Sequence, residues 1–471
     1  MSGAGTRVVP RYDRLQKDPS QMRTFFVLIG MGLLALSVAG AGMSYDGSYV
    51  LFRMLEGQQP WVDHGRATHL VFQLVASLVS HVTHNLPFLE FVFSLGYASA
   101  PIIALALSWW VVRRRAPGLF IWAAFGVAFA ALPGQICLVA DMLAVGQLAW
   151  PLLLAALVGV ENKQIPLLVL LSLFVAASHP VACGFIAIAA ALAFVTGLIS
   201  PQERHRQWSL AAGFLVLSSV ALAVEIARVD PYEAGLLHLD TLIANFRLAV
   251  VGWPLVAIGC GWLAGALILW EPHPAGPDRR STHADVAVRA CILLLLGAAG
   301  LALLRWGLDA HLWVNAIAYR FYLPFAASPF GLAAIVEHLR RDPETGRVPI
   351  PARLPSRRLY ANAIATVCCV TLVAQGYSWH QLRNRLVQTT ALARTACQSL
   401  DAPDYRWTTG TALGEWEISA YSIIVQGDRP STVVLADDLC RTVDFHKGLY
   451  LTPWYTHGWD ARWFNLDRMR P

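Results

Sequence analysis

Charge is what this chain has least of. Asp, Glu, Lys and Arg make up only 14% of its 471 residues, while 56% are hydrophobic; soluble proteins average about 25% charged and 45–50% apolar. No single globular core hides that excess. Long apolar stretches recur from residue 24 to residue 377, each near the roughly 20 residues a helix needs to cross about 30 Å of hydrocarbon. The chain also has no Asn-x-Ser/Thr sequon, which favours a bacterial periplasm over an ER lumen. It shows no internal repeat and no long low-complexity segment.

What is present is a polytopic, all-α pattern of about 11 spans: 24–44, 88–112, 117–133, 146–160, 164–178, 182–199, 209–228, 247–270, 287–304, 321–338 and 359–377. Lys and Arg gather in "RRRAPG", "PQERHR" and "HLRRDPETGRVPIPARLPSRR", which the positive-inside rule assigns to the cytoplasm. The N-terminal tail, residues 1–23, is then cytoplasmic, and it is too polar for a cleavable signal. The net charge of +6 reads as topology, with no need for nucleic acid. The expected setting is the bacterial inner membrane.

Residues 24–377 form the expected membrane body, and 378–471 a small extracytoplasmic α+β domain. In that domain "WHQLRNRLVQTTALARTACQSL" has helical character, and "ISAYSIIV" and "STVVLAD", separated by "QGDRP", read as strands. Cys137, Cys183, Cys260, Cys291, Cys368 and Cys369 lie in or beside apolar spans as small packing residues. Cys397 and Cys440 fall in the outer domain, where an oxidising compartment favours a disulfide between them.

The first outer loop, 45–87, opens with "SYDGSYVLFRMLEGQQPWVDHGRATH". Tyr49, Val50, Leu51, Met54 and Leu55 make an apolar stripe at helical spacing, ended by Gly57 and Pro60. A short interfacial helix is expected there. Asp46, just ahead of it, is either its N-cap or an inward-facing general base. Arg66, Arg305 and Arg320 stand near outer helix ends as phosphate ligands or as snorkelling side chains. His69 and His179, also near outer ends, are substrate contacts or packed caps. Asp141, between apolar runs, is expected at a hydrated outer turn, although a carboxylate near that depth is often functional.

A span followed by "YDGSYVLFRMLEGQQPWVDHGR" resembles the first outer loop of the GT-C glycosyltransferases, with Asp46 at the position of their acidic residue. "YRFYLPFAASPFGLAAIVEHLRR" is similar to the Arg-aromatic-x-x-Pro entry into a late span of lipid-linked sugar transferases, through Arg320 and Pro324. The resemblance implies a GT-C-like membrane fold and sugar transfer from a polyprenyl-phosphate-linked donor to a glycan or lipid hydroxyl. In that reading Asp46 is the base and Arg320 holds the leaving phosphate. No Asp-x-Asp occurs, so a divalent metal cofactor is not expected and none is predicted. Two other classes stay open: a lipid or sugar transporter or flippase, and a non-catalytic membrane partner of an envelope assembly.

Overall fold

A helix that is apolar on every face belongs at the centre of its bundle. In the computed structural model of the chain that helix is Asp141–Val158, buried at every residue. The structure describes residues 19–44, 46–62, 66–130, 139–199, 203–228, 331, 334–335, 376–377, 379–392, 398–400, 415–426 and 434–436.

The helices of the body are α1 (Pro19–Val38), α2 (Gly47–Gly57), α3 (Ala67–Ser80), α4 (Leu86–Val112), α5 (Phe120–Ala130), α6 (Asp141–Val158), α7 (Ile165–Ala176), α8 (Val181–Ile199) and α9 (Arg204–Arg228). Four stretches among them are long and apolar enough to cross a membrane: Leu86–Val112, Asp141–Val158, Val181–Leu198 and Arg204–Ala227. The described residues are thus mostly helical, as expected of a polytopic membrane protein. The expected spans from 247 to 377 lie outside the described residues, apart from a few helical positions.

Local chemistry sets the ends. Asn85 caps α4 by accepting the Phe88 N–H at 3.2 Å, with Pro87 in the first turn, where its missing N–H costs nothing. Gly40, in the left-handed region at φ 70, turns the chain out of α1 into a short 3-10 turn at Ala41–Met43. The sequence boundary of α6 was expected at 146. It lies at Asp141 instead, because an acidic first residue suits the positive end of the helix dipole.

Inside a bilayer the hydrophobic effect does not pull helices together, so close packing must. Small residues make it possible. A Cβ on Gly96 of α4 would lie 2.1 Å from the Phe72 carbonyl oxygen of α3, and one on Gly126 would lie 2.0 Å from the Trp150 ring of α6. α3 and α4 form an antiparallel hairpin closed by residues 81–85. The expected first outer loop, 45–87, thus holds a second helix, α3, that was not anticipated. The outward side chains of α3, Leu70, Val71, Leu74, Val75 and Leu78, are apolar and exposed.

The body has two unlike ends. At one, the C-terminus of α4 meets the α6–α7 and α8–α9 turns, and Arg115 bonds Glu203 at 2.8 Å and the Val158 carbonyl at 2.8 Å. Two of the expected cytoplasmic clusters therefore share a face. The other end gathers α2, the start of α3 and the starts of α6 and α8.

Beyond residue 378 the chain contributes α10 (residues 379–392), α11 (Glu415–Gln426) and two three-residue strands, β1 (Gln398–Leu400) and β2 (Val434–Ala436), which pair in parallel. "ISAYSIIV" was expected as a strand, and the structure makes it part of α11. Its residues Ile418, Ala420, Tyr421, Ser422, Ile423 and Ile424 are buried, and α11 packs on α2. That burial overrides the β-branched propensity of the segment. The strand expected in "STVVLAD" is present as β2.

Candidate functional site

Asp46 has the first-helix position expected of a cap, yet it does not cap. Its backbone is already helical (φ −63, ψ −11), and its side chain makes no capping hydrogen bond; a capping residue normally has extended dihedrals that aim its oxygen at the next N–H groups. Its carbonyl takes the Val50 N–H at 2.9 Å. The carboxylate, partly exposed, interacts electrostatically with the Tyr97 hydroxyl of α4, as does Asp141. Position follows from crowding. A Cβ on Gly47 would fall 1.7 Å from the Gly42 carbonyl oxygen, so only glycine lets the 3-10 turn and α2 meet here.

Below it lies a buried polar network. The Asp141 carboxylate accepts from Arg66 at 3.1 Å and from the Thr68 hydroxyl, and faces His69 Nε2 at 3.2 Å. His69 Nδ1 is 2.9 Å from the Tyr97 hydroxyl. A neutral His69 donating from Nε2 and accepting at Nδ1 satisfies both contacts. The expected hydrated turn at Asp141 is corrected: the residue is 5% exposed, because the α3 hairpin and α4 stand beside it. Tyr97 lies eleven residues into α4, on the order of 16 Å from that helix's start at 1.5 Å per residue. Such a carboxylate is tolerable because it is paired and multiply hydrogen-bonded.

The network also anchors the first loop. Gln73, one turn along α3 from His69, accepts the Trp61 N–H at 2.8 Å and donates to the Trp61 carbonyl at 2.9 Å and the Tyr97 hydroxyl at 3.3 Å. The Arg53 guanidinium of α2 lies 4.1 Å from the centre of the Trp61 ring. His179, between α7 and α8, accepts the Val181 N–H at Nδ1 at 3.1 Å, so part of its role is to begin α8. Its turn adjoins the start of α3, where the Ala67 N–H reaches the Ala177 carbonyl at 2.9 Å.

A second junction holds the C-terminal helices to the body. Glu90 of α4, buried, faces Arg383 at 3.7 Å and takes a long 3.5 Å hydrogen bond from Tyr421 of α11. Arg383 donates to the Tyr421 oxygen at 2.9 Å, and the Trp379 indole donates to the Ala39 carbonyl at 2.7 Å. Burial, reinforced by the Glu90 carboxylate, pushes the Tyr421 phenol well above its ordinary value. It therefore stays protonated and keeps its hydrogen for Glu90.

Of the residues expected from sequence, Asp46, Arg66, His69, Asp141 and His179 gather at one end of the body. Arg305, Arg320, Cys397 and Cys440 lie outside the described residues. Thr68, Gln73, Tyr97, Arg53, Trp61, Glu90, Arg383 and Tyr421 were not anticipated. One signal was available: His69 and Gln73, four apart in an apolar run, fall on one helical face. No group of three or more His, Cys, Asp or Glu suited to a metal occurs among the described residues. Comparison of the chain with protein-family models, with curated proteins and with solved structures finds no match.

Proposed function

We propose that the chain is a membrane glycosyltransferase of GT-C type, transferring a sugar from a polyprenyl-phosphate-linked donor to a glycan or lipid hydroxyl on the outer side of a bacterial inner membrane. The observation that carries this reading is Asp46. It sits directly after the first apolar helix, at the head of a short buried helix, partly exposed and not used as a cap. A carboxylate so placed can take the proton of an incoming hydroxyl. The acceptor oxygen then bonds to the anomeric carbon, the bond from that carbon to the phosphate oxygen breaks, and the electron pair leaves with the lipid phosphate. Arginine suits the departing anion through its planar fork; Arg320 was the first choice from sequence. Arg66 is a weaker choice now, since Asp141 already engages it.

The buried network beneath the loop has a supporting role in this scheme. Asp141, His69, Tyr97 and Gln73 hold the entry and exit of the loop against α3 and α4, so that Asp46 is positioned before substrate arrives. Membrane lipids and the lipid-linked donor are the implied partners, and no metal is required by the chemistry.

The test is complementation. In a host lacking the chain, the wild type restores the envelope sugar profile, and Asp46→Asn at equal folded yield does not. Retained function in Asp46→Asn rejects the assignment. A transporter is the second reading, because a carboxylate facing a histidine within a helix bundle also suits proton coupling. It predicts the reverse pattern, with Asp46→Asn active and Asp141→Asn dead.

A further inference from the structure

α2 is open along one line only. From Asp46 to Glu56, Asp46, Tyr49 and Arg53 are partly exposed and the other residues are buried. At 3.6 residues per turn, positions seven apart fall on the same face, about 10 Å apart along the axis. The open line therefore carries a carboxylate at one end and a guanidinium at the other. In-line transfer needs about that length: a hydrogen bond of about 2.7 Å from base to acceptor, an attack distance of about 3–3.5 Å, the carbon–oxygen–phosphorus link and a contact to the phosphate.

The Arg53 end is built to receive an anion. Its guanidinium carbon lies 4.1 Å over the centre of the Trp61 ring, and a guanidinium held over an aromatic face keeps N–H donors around its edge for hydrogen bonds to an anion. Trp61 is itself fixed, since Gln73 clamps both of its backbone polar groups. The indole N–H of that ring is buried and has no acceptor among the described residues. A buried donor without a partner is costly, and a phosphate oxygen would satisfy it.

We propose that Arg53 and the Trp61 indole N–H form the binding site for the phosphate of a lipid-linked phosphoester, at the opposite end of the α2 stripe from Asp46. The proposal deepens the glycosyltransferase reading and rests on it for the role of Asp46. During transfer the electron pair released from the anomeric carbon collects on the phosphate oxygen facing Arg53, while the acceptor proton goes to Asp46; no oxidant or reductant is involved.

The test is titration of the full-length protein in detergent with farnesyl phosphate, with farnesol and inorganic phosphate as separate arms. The wild type binds farnesyl phosphate and neither control. Arg53→Gln weakens binding by about tenfold or more, as loss of a charged hydrogen bond implies. Arg53→Lys weakens it less, and Trp61→Phe, which keeps the ring and removes the N–H, lowers affinity about three- to tenfold. Wild-type affinity in Arg53→Gln overturns the site. If Arg53→Gln does not fold, wild-type affinity in both Arg53→Lys and Trp61→Phe does the same. Equal binding of inorganic phosphate or of farnesol overturns the lipid phosphoester as ligand. Asp46→Asn, titrated alongside, separates the two ideas: lost transfer with binding indifferent to Arg53 rejects only the phosphate site. Arg53-dependent binding with transfer intact in Asp46→Asn rejects only the base.

Discussion

The two ends of the helical body use the same ion-pair chemistry in opposite surroundings. At the basic end, Arg114 and Glu161 meet at 3.3 Å with side chains 61% and 25% exposed, and Lys163 joins Glu161 at 2.9 Å. At the other end, Arg66 and His69 meet Asp141, whose side chain is 3% exposed. Water and salt screen the first set, so each of these pairs adds little to stability. The second set has been taken out of water, where pairing must offset a desolvation cost of several kcal/mol per ion. The lesson is that the exposed pairs of the basic end add little to the fold, while the buried set at the other end holds α3, α4 and α6 in place.

The largest expected effect tests the buried end directly. Asp141→Ala leaves Arg66, Thr68 and His69 without their common acceptor, and should cost about 3–5 kcal/mol in denaturant unfolding in detergent. An effect below 1 kcal/mol would erase the contrast between the two ends. Glycines give the next comparison. Gly96→Ala pushes against the Phe72 carbonyl, which is backbone and cannot give way, and should cost about 1–3 kcal/mol. Gly197→Ala, near the basic end, meets Trp208 side-chain atoms at 2.5 Å. Trp208 is 39% exposed, so it can move and the cost should be smaller.

Third in size is Glu203→Gln, which weakens the Arg115 pair and should change stability by about 0.2–1 kcal/mol, less at high salt. The smallest effect is a pH dependence. The Lys163 hydrogen bond, helped by Arg114, holds the Glu161 carboxyl below its ordinary range. A lowered folded value means the stabilisation is present above the ordinary carboxylate range and is lost as pH falls through the folded one. Any difference between wild type and Glu161→Gln seen near neutral pH should therefore shrink as pH falls through the folded value. A difference that grows on acidification would show that another group carries it.

Legibility from sequence followed the same division. The described spans were readable because their apolar runs are long and their ends carry charge or proline, as with Asn85 and Pro87 before α4. α3 was missed because fourteen residues are too short for a crossing and its buried face is polar at His69, Gln73, Ser77 and Ser80. α11 was misread because Ile418, Ile423, Ile424 and Val425 favour strands in isolation, and only packing on α2 decides otherwise. At the site, Asp46 and Asp141 stood out as lone carboxylates beside apolar runs. Tyr97 gave no signal, since its part depends on where α3 crosses α4.

Composition and apolar run length by themselves determined a helical membrane protein, because 14% charge leaves too little polar surface to cover such a chain in water. The basic clusters determined which described helix ends share a face. Only the tertiary structure decided that Asp141 is buried rather than hydrated, that Asp46 is not a cap, and that α2 opens along Asp46, Tyr49 and Arg53. Those outcomes depend on contacts between residues tens of positions apart, and side-chain identity and spacing along the chain do not encode which helix will stand beside which.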